Sequence, residues 1–178
     1  MELCTAEEAH VVCLFETLEG AMDFDRHIYN SMPHIPNRPE IFGEQRILDQ
    51  DDTLTGTLED LLLVASFLGA DEVKALCEQY GGTAFPAHVD RDSYSVIASL
   101  GSIPPEAGFT VAEVTRDCDL NALKERYPEL KAMGIVRDSD SHYLDTLAAS
   151  QALKIALPER SAKAVLAALR AGASGCIN

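Results

Sequence analysis

Short apolar runs separated by helix-length amphipathic stretches constrain this chain more than any other feature. Val11-Val12-Cys13-Leu14-Phe15 is compact, partly β-branched and bounded by polar residues, so it reads as a buried strand. Thr83-Ala84-Phe85-Pro86, Val111-Ala112-Glu113-Val114, Ile135-Val136 and the segment from Leu153 to Leu157 read the same way. Between them, Thr17 can cap a helix over 18–31 with the stripe Leu18, Met22, Ile28, Tyr29 and Met32, interrupted by Asp25. An apolar-rich helix is predicted from Leu58 to Leu68, and Val73, Leu76, Cys77 and Tyr80 repeat with helical spacing in the next. Shorter helices follow over 95–100 and 120–127. A final one has Ser161 as cap, Ala162, Val165, Leu166 and Leu169 as stripe and Gly172 as stop. Prolines 33, 36 and 39 enforce a loop, and residues 42–57, with the acidic turn at 49–52, predict a small β excursion. Strands alternating with helices imply βαβ units and a mostly parallel sheet, open or closed into a barrel.

In either form ligands collect at the carboxyl ends of the strands. In Arg137-Asp138-Ser139-Asp140-Ser141-His142-Tyr143, just past a strand, Asp140 and His142 sit two apart. Extended backbone would point both to one side, where carboxylate and imidazole can share a divalent cation. The same residues are also ordinary Asx-turn chemistry. His88 lies just past another strand, and two polar clusters at equivalent positions favour a common site. His10 directly precedes the first strand, with Glu2 eight residues upstream. Alone, His10 reads as a hydrogen-bonded histidine at the edge of the core and Glu2 as a solvated charge. Arg91 suits a phosphate or an ion pair with Asp90 or Asp92, and Glu113 either points into a site or pairs with a base. His27 and His34 read as surface residues.

The 178 residues suggest one domain, 1–178, with ordinary globular composition: 47% hydrophobic and 24% charged. A net charge of −15 disfavours nucleic acid and anionic membranes as partners, but not an anionic small substrate held by a metal. Five scattered cysteines without a C-x-x-C spacing argue against both a disulfide framework and a cysteine zinc site. The acidic N-terminal stretch is unlike a signal peptide, and no apolar run approaches the ~20 residues of a membrane span. A cytoplasmic location is the expectation.

Four runs, taken in order, resemble the PHP (polymerase and histidinol phosphatase) family, bacterial metal-dependent phosphoesterases in particular. They are Phe85-Pro86-Ala87-His88-Val89-Asp90-Arg91, Leu100-Gly101-Ser102-Ile103-Pro104-Pro105, Tyr127-Pro128-Glu129-Leu130 and Ser139-Asp140-Ser141-His142-Tyr143-Leu144. Met1-Glu2-Leu3-Cys4-Thr5 with Glu7-Glu8-Ala9-His10-Val11 is similar to that family's third motif, so the resemblance covers the whole chain. It implies a distorted (β/α)7, TIM-like barrel with a cluster of two or three metal ions. By position, Glu2, His10, His88, Asp140 and His142 match metal ligands, with Arg91 a candidate for phosphate. The implied chemistry is hydrolysis of a small phosphorylated substrate by metal-activated water, with zinc, manganese or iron all suited to the donors.

The family's opening H-x-H and D-H motifs have no counterpart here. The resemblance therefore implies an N-terminally incomplete barrel holding fewer metal ions, with impaired catalysis. The alternative is a non-catalytic metal-binding or regulatory remnant of the same scaffold. Open sheet edges in such a barrel would favour a homo-oligomer across the missing strands, which light scattering on the eluting protein checks.

Overall fold

A computed structural model of the protein describes residues 1–148 and 154–173. Strand β1 (Glu2–Cys4) is joined to β2 (His10–Phe15) by residues 5–9 alone. A parallel crossover needs a dozen or more residues, so the two pair antiparallel, Leu3 opposite Val11. The chain then makes a round trip. Helix α1 (Leu18–Asn30) runs back along the sheet, and Ser31 and Cys4 meet the following loop through the N–H groups of Phe67 and Ser66. That loop carries α2 (Pro39–Phe42) and a hairpin of β3 (Arg46–Leu48) and β4 (Leu54–Thr57). Helix α3 (Val73–Gln79) brings the chain back to where α1 began, and Gly20 lets the Tyr80 carbonyl approach where any Cβ would clash. With α1 leading away and α3 leading back, the next strand starts beside the end of β2. Accordingly β5 (Gly82–Pro86) pairs antiparallel with β2, Phe15 opposite Gly82 and Val11 opposite Pro86.

Helix α4 (Val96–Leu100) leads to β6 (Val111–Val114), α5 (Leu120–Arg126) and β7 (Gly134–Arg137). This is a βαβ unit, and β6 pairs parallel with β7. Helices α6 (Leu144–Ala148) and α7 (Ala162–Arg170) follow. The described strands form sheets in the orders β1-β2-β5, β3-β4 and β6-β7, without closure. The distorted (β/α)7, TIM-like barrel expected from the resemblance is therefore not the fold. The short β1–β2 link and the out-and-back path of α1 and α3 make the three-stranded sheet antiparallel, and among the described strands only β6 and β7 pair parallel.

Period-two alternation gives the strands two different faces. Ala84, Ala112, Val114 and Ile135 pack into the larger core with Phe24 and Ile28 of α1 and Val73 and Cys77 of α3. On the other face Phe85, Val111 and Val136 meet Leu169 of α7, with Val12 and Leu14 against them.

Three local expectations change. Leu58–Leu68 is not helical, although Leu58, Leu61, Leu62 and Ala65 have helical spacing, because its backbone is held by distant partners. Leu58 N–H donates to Gln45 O and Leu61 N–H to Ile35 O. Residues 154–157 form no strand; Ile155 packs against the α7 cluster instead, and Leu153 lies outside the described residues. In α1 the buried side chains are Phe24 and Ile28, whereas Leu18 and Met22 are exposed and Asp25 interrupts nothing.

Thr17 does cap α1, its hydroxyl accepting from Gly20 N–H at 3.1 Å. Thr17→Ala is expected to cost about 1 kcal/mol. For a chain of this size that lowers the melting midpoint by roughly 2–4 °C in a thermal scan.

Candidate metal centre

The face that packs on α7 continues toward the carboxyl ends of β5, β6 and β7 as a polar surface. Glu2 pairs with Val12, and His10 lies two residues before Val12 on β2. Glu113 follows Val111 by two on β6, and Asp138 follows Val136 by two past β7. The alternation that buries the apolar members of this face therefore delivers the polar ones to one place. Val89 N–H, donating to Glu113 O at 2.9 Å, ties the end of β5 to β6.

Glu2, His10 and His88 converge there. Glu2 Oε1 lies 3.2 Å from His10 Nδ1 and 3.3 Å from His88 Nε2. One ligand atom from each residue lies within 4.8 Å of the others. Two donors on a tetrahedral ion, each about 2.0–2.1 Å from it, stand roughly 3.3 Å apart, so the two contacts to Glu2 already have coordination spacing. Hydrogen bonds from His10 first, then His88, hold the Glu2 carboxyl well below the usual carboxylate range, and burial opposes them less. The oxygen donor is thus ionised at neutral pH.

The surroundings fix these groups. His88 is 2% exposed, whereas His10 is partly open and stacks on Tyr94 with ring centroids 5.0 Å apart. His10 N–H also donates to Tyr94 O at 2.8 Å. Glu8, His88, Tyr94 and Asp140 all have positive φ, at 58°, 30°, 54° and 45°. Left-handed backbone at non-glycine residues costs of order 1 kcal/mol or more each and gathers where a site needs it. His88 Nδ1 is buried with no hydrogen-bond partner among the described residues. Ligating histidines usually anchor their second nitrogen, and losing such an anchor lowers metal affinity about 10–100-fold.

Asp140 and His142 do not join the three. Asp140 bends the chain in an Asx turn, its N–H donating to Asp138 Oδ1 at 3.0 Å. Its carboxylate then meets Arg91, Nη2 to Oδ2 at 2.8 Å. Arg91 thereby bypasses Asp90, which accepts from Thr115 N–H. His142 is 70% exposed, with Nδ1 2.9 Å from Asp140 O. Both nevertheless line an open cleft of about 380 Å³ together with Glu2, Glu113 and Asp138. His27 and His34 lie elsewhere, against Tyr80 and Asp60.

Of the two alternatives open for Glu113, the cleft is the one observed, and Asp138 is the addition that the structure makes. Glu113 is 4% exposed, and burial first, then the charge of Asp138, pushes its carboxyl up to about 8. Burial likewise raises Asp138. Among the described residues no helix is long and apolar enough to cross a membrane. No family model, curated protein or solved structure matches the chain.

Proposed function

We propose that this chain holds one divalent metal ion on Glu2, His10 and His88 and hydrolyses phosphoesters of small molecules, as its PHP-like motifs imply. The convergence of those three donors from β1, β2 and the end of β5 carries the reading. One carboxylate and two imidazoles leave at least one coordination position open, the hallmark of a catalytic rather than a structural ion. The donor set suits zinc, manganese or iron. When bound, such an ion polarises a phosphoryl oxygen and lowers the pKa of a water molecule. Arg91 pairs with Asp140, which lines the cleft; released from it, the guanidinium would meet the phosphate.

A second reading, a non-catalytic metal-binding module, draws on the placement of Asp140 and His142. One is paired with Arg91 and the other faces solvent, so among the described residues these two do not stand with a third donor to hold a second ion, which would clamp both the attacking and the leaving oxygen.

A phosphatase assay with p-nitrophenyl phosphate and added Mn²⁺ or Zn²⁺ separates the two. The enzyme reading expects metal-dependent turnover that falls at least 100-fold in His88→Ala. Stoichiometric metal without turnover leaves the binding module, and turnover indifferent to His88→Ala refutes the site.

A further inference from the structure

Beside the metal centre lies a larger cleft of about 690 Å³, formed by the amino end of β2, α1 and residues 62–66. Glu2 and His142 line both clefts, so a molecule could occupy the two at once. The volume falls within the usual range for small-molecule sites. Its wall is apolar where Ile28, Met32, Leu62 and Leu63 line it, and Leu63 is 72% exposed. Tyr29 and Tyr94 add two aromatic rings.

The side-chain charges of this cleft are carboxylates. Glu2, Glu8 and Asp25 line it, and no lysine or arginine does. Glu8 and Asp25 form no ion pair among the described residues. The Met1 ammonium, also on the wall, donates to Cys13 O at 3.0 Å. An anionic occupant would meet the unpaired carboxylates of Glu8 and Asp25. An organic cation would gain Coulomb attraction, apolar contact and the ring faces that attract ammonium groups.

We infer that this cleft binds an apolar organic cation, an aryl- or alkylammonium group carried by the same molecule as the phosphoester. The position of the phosphate rests on the phosphoesterase reading; capture of the ammonium group does not.

The test uses probes without phosphate on metal-free protein. Benzyltrimethylammonium and benzoate are titrated by calorimetry against the parent and a Glu8→Gln/Asp25→Asn double variant, both sites being exposed and the replacements isosteric. Saturable binding of the ammonium, at least tenfold tighter than benzoate and weakened about tenfold in the double variant, is the expected result. Equal binding of benzoate, an unchanged double variant or no saturable ammonium binding overturns the inference. Absence of phosphatase turnover beside intact ammonium binding removes the phosphoesterase reading alone.

Discussion

The His88→Ala variant is expected to melt at the same temperature with and without zinc, whereas the parent protein gains roughly 5–10 °C at a zinc concentration 100-fold above its dissociation constant. A ligand that binds only the folded state stabilises it by about 2.7 kcal/mol under those conditions. In a chain of this size each kcal/mol is worth roughly 2–4 °C. His88 is the critical donor because it is buried at the end of β5 with its Nε2 facing Glu2, so no rotamer of a neighbour replaces it. Its removal should lower zinc affinity at least 100-fold. Truncating a buried side chain also lowers the baseline midpoint, so Glu2→Gln serves as the companion variant. Glu2 is partly exposed, and glutamine keeps its size while removing the anionic oxygen. That variant should hold the parent midpoint within a few degrees and still bind zinc at least tenfold more weakly. Full zinc response in both variants, measured by calorimetric scans with and without EDTA, would mean that the metal binds elsewhere.

The second large effect concerns pH. In metal-free protein the Glu113 carboxyl titrates near 8 rather than its ordinary 4.5, first because burial penalises the charge and then because Asp138 repels it. Below about pH 4.5 the folded and unfolded chains both keep this proton, and Glu113 adds no pH dependence. Between 4.5 and 8 the unfolded chain releases the proton while the fold retains it, so stability falls as pH rises. Each pH unit costs up to about 1.4 kcal/mol, and the window limits the loss to about 5 kcal/mol. Glutamine has the same shape and can still accept from His88 N–H, a contact of 3.4 Å to Glu113 Oε1. Glu113→Gln should therefore match the parent within about 1 kcal/mol at pH 5 and exceed it by about 2–4 kcal/mol at pH 8.5. Urea unfolding in EDTA at three pH values measures this. Parallel stability curves for the two proteins would show that Glu113 is already ionised in the fold.

The placement of β2, β5, β6 and β7 is legible because each is a short apolar run with β-branched or aromatic members between turn residues. The caps Thr17 and Ser161 are legible for a similarly local reason, a hydroxyl just before an amphipathic stretch. Strand direction is not local. It depends on α3 bringing the chain back to where α1 began, and the helix expected over 58–68 obscures that return. The five residues between Cys4 and His10 are the overlooked signal for an antiparallel hairpin.

The candidate site divides along the same line. Glu2, His10 and His88 sit beside strand ends that pairing brings together. Asp140 and His142 would share a side only in extended backbone, and the turn at Asp140 with φ 45° breaks that premise. Glu113 and Asp138 had a readable signature, each two residues beyond a valine of the α7-facing set. A charged residue inside an apolar strand, as Glu113 is, marks such a position because burial there demands a use.

Anomalous diffraction at the zinc edge, from crystals grown with one equivalent of zinc, tests the metal centre most directly. The account predicts a single strong peak about 2.0–2.2 Å from Glu2 Oε1, His10 Nδ1 and His88 Nε2. A well-ordered map with no peak among those three atoms, or with its peak on other residues, would contradict it.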